Sequence, residues 1–283
     1  MNHRPKMTVA ALRNKKQRNQ KITLLTAYDY PMASFLDQAG IDIILVSDAV
    51  GTIGNGRPEA VSVTVDEMIY HTQAVRNGVK FGLIVTTLPY GSYSSPSQAL
   101  TSATRIMKEG KADAVHLEGS ARSADIVSRI VESGIPVLGH IGVTKQRIVL
   151  SGQISLPAKD ARSSQNMIQD AMAMAKGGAF ALIVECLPVS LGEVITRSLE
   201  IPVISIGSGV HCDGQGLVTH DMLGLFKELS PRFLKVYADL QQITLSALNQ
   251  FRQEVESGQF PTDQHSYRMD DAELHKLLRQ MEN

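Results

Sequence analysis

Short apolar runs alternate with amphipathic helical segments along most of the chain. The apolar runs of strand length cover residues 22–27, 43–46, 83–87, 114–118, 136–140, 182–185, 203–206 and 216–219. Strands that alternate with helices predict a parallel sheet, because each helix carries the chain back to the start of the next strand. Eight strands predict a closed sheet, so the expected fold is an α/β protein of the (β/α)₈ TIM-barrel type.

Capping residues mark where two of the helices begin. The hydroxyl of Thr64 and the carboxylate of Glu67, three residues later, can each bond the other's backbone amide. Ser95 precedes Pro96, which suits the first position of a helix, and Gly110 suits its end. We therefore predict helices that start after Thr64 and Ser95.

The chain has 283 residues, and a single barrel of this type uses about 250. We predict a basic N-terminal segment over residues 1–20, a barrel domain over 21–268 and a polar C-terminal tail over 269–283. The basic segment is interpreted as a solvated helix face, with contact to a membrane or an anionic ligand as the alternative. The weak helical pattern of the tail leaves open a loosely held segment or an interface helix.

Charge and hydropathy narrow the classes of partner. Lys plus Arg and Asp plus Glu each number 28, so no net positive field is present to attract nucleic acid. No run of about 18 apolar residues and no signal-peptide core occur, so we predict no membrane partner. Cys186 and Cys212 have no metal-type spacing. We expect a cytoplasmic protein with reduced thiols.

Polar side chains stand at the ends of several apolar runs. His116 and Glu118 are two apart on one predicted strand, so they share a face of the sheet. Asp48, Thr87 and Glu185 end or follow other runs. Because the carboxyl ends of parallel strands meet at one mouth of a barrel, these residues predict a reaction site there.

Several ordered segments together resemble the ketopantoate hydroxymethyltransferase family. They are residues 26–31 (TAYDYP), 45–48 (LVSD), 63–72 (VTVDEMIYHT), 116–119 (HLEG), 139–142 (GHIG), 184–188 (VECLP), 206–209 (IGSG), 260–261 (FP) and 265–267 (HSY). The resemblance implies a barrel of the phosphoenolpyruvate mutase and isocitrate lyase type, assembled as a homo-oligomer, often a decamer. In the family, a divalent metal holds a 2-oxo acid, and a Glu removes a proton beside the carbonyl. The enolate then attacks the one-carbon unit of 5,10-methylenetetrahydrofolate.

The resemblance assigns roles to four acidic or imidazole side chains. Glu185 matches the catalytic base, Asp48 and Glu118 match two of three metal-associated carboxylates, and His140 matches a histidine of the pocket. The chemistry agrees with this assignment, since a carbon acid beside a ketone needs a carboxylate base kept out of bulk water.

Three positions that hold the substrate in the family are changed here. Thr87 stands where the family has the third metal carboxylate, Ala49 replaces a substrate-binding Ser, and His116 replaces a substrate-binding Lys. Because these changes fall together, we expect a rebuilt pocket whose substrate differs from ketoisovalerate. One sequence leaves loss of activity open as the alternative.

His116 has two interpretations. With Asp48 and Glu118 it could complete a site of one imidazole and two carboxylates, which suits Mn²⁺, Fe²⁺ or Zn²⁺ better than Mg²⁺. Alternatively, it donates a hydrogen bond to the substrate with no metal present. We favour the second, because the loss of an Asp ligand weakens a site for a hard cation.

The leading hypothesis is an enzyme that forms a carbon–carbon bond next to the carbonyl of a 2-oxo acid or related small molecule, with Glu185 as base. A second hypothesis is a lyase or hydratase that uses the same enolate without folate. A third is a non-catalytic oligomeric barrel or ligand binder. The retention of Glu185, Asp48, Glu118 and His140 argues against the third, because buried acids are costly.

Overall fold

The computed structural model describes residues 4–144, 148–149, 152, 156–226 and 231–282. Eight parallel strands close in sequence order into a barrel, and this confirms the predicted fold. The strands are β1 (Ile22–Thr26), β2 (Ile43–Val46), β3 (Leu83–Thr87), β4 (Ala114–Glu118), β5 (Val137–Gly142), β6 (Ala181–Glu185), β7 (Val203–Ile206) and β8 (Gly214–Leu217).

Helices connect the strands and flank the barrel. They are α1 (Val9–Gln17), α2 (Tyr30–Ala39), α3 (Val50–Ile53), α4 (Val65–Gly78), α5 (Pro96–Arg105), α6 (Ala124–Glu132), α7 (Ala161–Lys176), α8 (Val189–Ser198), α9 (Thr219–Met222), α10 (Leu240–Glu256) and α11 (Asp271–Met281). Within the described ranges, none of these helices combines the length and the hydropathy that crossing a bilayer requires.

Both predicted helix starts are confirmed. The Thr64 hydroxyl accepts from the Glu67 amide at 3.2 Å, and the Glu67 carboxylate accepts from the Thr64 amide at 2.8 Å. Ser95 caps α5, with Pro96 in its first turn. The helical path continues through a π-helical turn, Ile106–Gly110, and ends there as the glycine predicted.

The core has an inner layer and an outer layer. Inside the barrel, side chains such as Leu24, Leu45, Val85 and Ile183 pack together, and Leu12 of α1 joins them with no exposed surface. Two further clusters lie between the strands and the surrounding helices. Helix α1 therefore packs against the amino end of the barrel, opposite the strand ends that carry the predicted site.

The predicted eighth strand was placed two residues too late. The strand runs over Gly214–Leu217 instead of 216–219, and Thr219 begins α9. A Cβ at position 214 would lie 2.5 Å from the carbonyl oxygen of Ile22 on β1. The close approach of β1 therefore requires a glycine, and a strand that contains Gly-Gln-Gly gives no apolar signal at its start.

The basic N-terminal segment packs against acidic residues below the barrel. Its ion pairs are Lys6–Asp113 at 2.5 Å, Lys15–Asp42 at 2.6 Å and Lys16–Asp213 at 2.9 Å. The interpretation as a solvated face is wrong for Lys15 and Lys16, because most of each side chain is covered. A lysine-rich sequence does not show that its partners lie far along the chain.

The last two helices contribute no buried residue. Helix α10 exposes Ile243, Leu248, Phe251 and Val255. Helix α11 lies within the predicted tail, and its weak helical pattern does form a helix. The predicted division of the chain into residues 1–20, 21–268 and 269–283 remains a prediction.

Candidate active site

Four side chains from four adjacent strands form a continuous row of contacts. Oγ1 of Thr87 lies 2.9 Å from Nδ1 of His116, and Nε2 of His116 lies 3.1 Å from Nδ1 of His140. Nε2 of His140 lies 2.9 Å from Oε2 of Glu185, at an angle outside that of a hydrogen bond. We call these four residues the strand-end chain.

The strand-end chain rises toward the mouth of the barrel. Thr87 is level with His116 in the β3–β4 register, whereas His140 is level with Glu118 and Glu185 is level with Gly142. His140 therefore lies two residues closer to the mouth than His116, and Glu185 lies two residues closer to the mouth than His140. Thr87, His116 and His140 are buried, and the Glu185 side chain is 24% exposed. Only the final carboxylate reaches the solvent side.

The backbone around Glu185 is held by two local features. Gly142 has a φ of 113°, and a Cβ there would lie 2.1 Å from the Glu185 carbonyl oxygen. Cys186 adopts a left-handed conformation, with a φ of 56°, which is unusual for a residue other than glycine. Strained backbone of this kind clusters at functional sites. Burial and the nearby Glu185 charge raise the pKa of the Cys186 thiol to about 11, so it is a poor nucleophile.

The two predicted metal carboxylates lie at the carboxyl ends of two strands that β3 separates. Asp48 follows β2 and Glu118 ends β4, and both are buried. Ala49 lies between Asp48 and the first turn of α3. Its methyl group offers no hydrogen-bond donor at the position where the family has a serine.

The described residues do not fit a metal site with three ligands. Among them, no group of three or more His, Cys, Asp or Glu side chains is arranged to hold a metal ion. Both ring nitrogens of His116 already contact Thr87 and His140. Ligation of a metal by His116, or donation from His116 to a substrate, would break one of these contacts, so the geometry favours neither interpretation of this residue.

A second polar cluster on the β1–β8 side was not predicted. The Tyr28 hydroxyl lies 3.0 Å from the Ser47 hydroxyl, and its ring stacks on His220 with centroids 5.5 Å apart. Burial raises the pKa of Tyr28, lowers that of His220 and raises that of Asp221 to about 6. Tyr28 belongs to the TAYDYP segment, and His220 and Asp221 directly follow the predicted strand over 216–219, so all three were available as strand-end residues.

A cavity of about 850 Å³ opens beyond the carboxyl ends of β3, β4 and β5. Its walls come from the loops after β3, β4 and β5 and from α7, with Tyr90, Ser120, Arg122, Asn166 and Gln169 among the lining residues. None of the predicted site residues lines it, although it borders β4 through Gly119. The cavity is large enough for a small-molecule ligand.

Sequence comparison identifies relatives over nearly the whole chain. The model of the family described as ketopantoate hydroxymethyltransferase matches residues 6–263. A 3-methyl-2-oxobutanoate hydroxymethyltransferase of Carboxydothermus hydrogenoformans is 44% identical over 265 residues, which is 93% of this chain and 96% of the relative. The enzyme of that name from Moorella thermoacetica is 44% identical over 95% of this chain and all of the relative.

Solved structures with the same fold are more distant in sequence. A phosphoenolpyruvate phosphomutase from Streptomyces platensis subsp. rosaceus has a TM-score of 0.61 at 15% identity, covering 97% of this chain and 96% of that one. A 2,3-dimethylmalate lyase of the phosphoenolpyruvate mutase and isocitrate lyase superfamily has a TM-score of 0.59 at 12% identity, with 97% and 95% covered. These structures support the fold alone. The family match and the relatives above 40% identity show that this chain belongs to the ketopantoate hydroxymethyltransferase family.

Proposed function

We propose that this chain is a transferase that adds a hydroxymethyl group to the carbon next to the carbonyl of a 2-oxo acid. Family membership supports the reaction class. The observation that carries the proposal is the placement of Glu185 at the mouth of the barrel, partly exposed and in contact with His140 at 2.9 Å.

Glu185 acts as the base in this proposal. Its carboxylate takes the proton from the substrate carbon, while the buried strand ends around it limit access of bulk water. The resulting enolate carries negative charge on oxygen and is stabilised by positioned donors. The Tyr28 and Ser47 hydroxyls are a source of such donors, because they lie at the ends of β1 and β2 at the same mouth.

The position of Thr87 bears on the choice of acceptor. In the family this position supplies a metal carboxylate, whereas here its hydroxyl contacts His116. The described side chains do not fit a three-ligand metal set, so no step of the proposal passes through a metal. We propose an acceptor other than 3-methyl-2-oxobutanoate, with 5,10-methylenetetrahydrofolate as the one-carbon donor.

The exposed face of α10 supports assembly of several copies. Ile243, Leu248 and Phe251 are each more than half exposed on the single chain. Exposed apolar residues grouped on one helix mark interaction surfaces. We therefore propose a homo-oligomer.

Proton exchange tests the enolate step without a one-carbon donor. The protein is incubated in D₂O with a panel of 2-oxo acids that carry hydrogen beside the carbonyl, and proton NMR follows the loss of that hydrogen. We expect protein-dependent exchange with at least one acid, and a product heavier by one CH₂O unit once 5,10-methylenetetrahydrofolate is added. A folded protein that produces neither result with any acid, with or without added magnesium, contradicts the proposal.

A further inference from the structure

We propose that helix α10 of one copy packs across the outer face of β1 and β8 in a second copy, and that the exchange is reciprocal. The inference rests on the homo-oligomer of the proposed function and names the two surfaces that meet, but it does not depend on the reaction. We call the outward side chains of β1 and β8 the outer wall.

The outward side chains of the other six strands are buried. They lie in the two clusters between the strands and the surrounding helices. Examples from β2 to β7, each with no exposed surface, are Ile44, Ile84, Val115, Val137, Leu182 and Val203. A helix of the same chain therefore covers each of these strands.

The outer wall is open to solvent in the single chain. Thr23 of β1 is level with Gln215 of β8, and both are exposed. Leu25 is level with Leu217, two residues nearer the mouth, and both are partly exposed. Alternate residues of a strand share a face, and the intervening Leu24 packs inside the barrel. The wall thus presents a polar pair and an apolar pair side by side.

Helix α10 is long enough to cover a barrel wall but contributes no buried residue over its 17 positions. Leu248, Phe251 and Val255 recur at spacings of three and four residues, so they form one apolar face, and all three are exposed. Most of the stability of a helix in a protein comes from packing such a face. The chain therefore has one wall without a cover and one amphipathic helix without a packing partner.

Hydrogen bonds at the start of α10 direct it away from its own wall. The Tyr237 amide donates to the Met222 carbonyl oxygen at 2.7 Å, just before the helix. The Leu240 amide donates to the Leu223 carbonyl oxygen at 3.0 Å, in its first turn. Packing on the wall of the same chain would require another direction and would break both bonds. A second copy is therefore the occupant that the geometry favours.

An apolar side chain extends the outer wall at its amino end. Nζ of Lys21, the residue before β1, bonds the carbonyl oxygens of Val210 and Cys212 at 3.3 and 2.5 Å. These bonds hold the loop before β8 against the start of β1. The Val210 side chain is 68% exposed there. A helix laid along the wall would cover it.

The area of contact favours exchange in both directions. Packing one face of a helix about 25 Å long buries on the order of 400 Å² of the helix and a similar area beneath it. One such contact gives about 800 Å², which is the size of a crystal contact, whereas two give about 1,600 Å², the size of a stable interface. A two-fold axis relates the two contacts, because each copy both gives and receives a helix.

Two substitutions on opposite sides of α10 test the assembly. Leu248→Glu places a charge in the apolar face, and Gln253→Glu places the same charge on the far side of the helix. Light scattering measures the mass of each protein against 30.8 kDa for one chain. We expect an oligomer for the native protein, a mass at least twofold lower for Leu248→Glu, and no change for Gln253→Glu. A native protein of single-chain mass, or a Leu248→Glu variant of native mass, would overturn the proposal.

Photo-cross-linking identifies the surface that α10 contacts. Benzoylphenylalanine replaces Leu248 in one protein and Leu245 in another, and both are irradiated. A link between copies doubles the chain mass on a denaturing gel, and mass spectrometry identifies the linked peptide. We expect a doubled chain linked to residues 22–25 or 214–217. A link within one chain, a link to α10 of the second copy, a link elsewhere on the barrel, or no link from either position would overturn the proposal.

The measurements separate this inference from the proposed function. If no 2-oxo acid exchanges protons, the proposed reaction fails, while the cross-link still decides where α10 packs. An oligomer whose α10 links to another surface leaves the homo-oligomer standing and refutes the exchange of helices. A native protein of single-chain mass refutes both the homo-oligomer and the exchange.

Discussion

The two ends of the barrel use carboxylates in different ways. At the amino end, Asp42, Asp113 and Asp213 each stand one residue before a strand, and each pairs with a lysine. Each also accepts from a backbone amide at the start of a neighbouring strand, with distances of 2.9 Å to Thr23, 3.0 Å to Ile84 and 2.8 Å to Val203. At the carboxyl end, Glu185 contacts an imidazole that contacts a second imidazole.

The comparison shows that the partner of a buried acid determines whether the acid has a structural role or can change its contacts. Backbone amides and packed lysines are fixed by the fold, so the amino-end acids hold the strands in register. The partners of Glu185 are side chains, which can exchange contacts when a ligand arrives. Residues at the carboxyl ends of barrel strands serve chemistry, and those at the amino end serve stability. This contrast is visible here within one chain.

Gly142→Ala should have the largest effect at the carboxyl end. The new Cβ would lie 2.1 Å from the Glu185 carbonyl oxygen, so the backbone of the base must move. We expect proton exchange to fall by about a hundredfold or more, since displacing a reacting group by about 1 Å costs on that order. Gly134→Ala is the matched control: its φ is also positive, at 88°, and its Cβ would meet nothing within 4 Å. Comparable exchange rates in the two variants would show that the close approach at Gly142 does not position Glu185.

Restoring the family residues should change substrate preference at the same end. We expect the triple variant Thr87→Asp, Ala49→Ser, His116→Lys to gain about tenfold or more in magnesium-dependent hydroxymethylation of 3-methyl-2-oxobutanoate, the scale of one charged contact in a desolvated site. Each single change should help less, because the three residues share one substrate. Product formation with and without magnesium measures the gain. An equally fast reaction by the native chain would show that the three changes do not alter the pocket.

The barrel and Glu185 could be predicted because each leaves a local signal. Apolar runs mark the strands, and the ECLP segment marks Glu185 within a known pattern. The strand-end chain could not be predicted, because its contacts depend on the stagger between β4, β5 and β6. The Tyr28–His220 stack could not be predicted, because β1 and β8 lie near opposite ends of the chain and become neighbours only when the barrel closes. The lysine pairs of the amino end join residues up to 197 positions apart, which no local pattern shows.

Lys16→Met should affect the amino end alone. Nζ of Lys16 bonds the Asp213 carboxylate at 2.9 Å and the carbonyl oxygens of Thr196 and Ile201. Its removal leaves partly buried acceptors unsatisfied, so we expect a loss of about 2 kcal/mol in the free energy of unfolding. The melting temperature should fall by several degrees at about 2–4 °C per kcal/mol, with exchange per folded molecule unchanged. A slower exchange at an unchanged melting temperature would show that Lys16 takes part in the reaction, and it would contradict the difference in role between the two ends of the barrel.

Asp221→Asn should have the smallest effect. Burial raises the pKa of Asp221 from 3.8 to about 6, so the folded state favours the protonated acid. The contribution of this group to stability is therefore greatest below pH 4 and declines as the pH rises through 6. Relative to the native protein, Asp221→Asn should therefore have a free energy of unfolding that is more favourable at pH 8 than at pH 5 by up to about 1 kcal/mol. This value is reduced for the solvent around a half-buried group. Melting temperatures of both proteins at the two pH values measure this, and an equal difference at both would contradict burial as the cause.

The most direct test of the contrast removes one carboxylate charge at each end. Glu185→Gln and Asp42→Asn make the same chemical change at opposite ends of the barrel, and proton exchange and melting temperature are measured for both. We expect Glu185→Gln to lose about a hundredfold or more in exchange, as for loss of a general base, with little change in melting temperature. We expect Asp42→Asn, which weakens the contacts with Lys15 and Thr23, to melt several degrees lower while its folded molecules keep the exchange rate. Exchange that survives Glu185→Gln within about tenfold, a range too small for loss of a general base, would contradict the account.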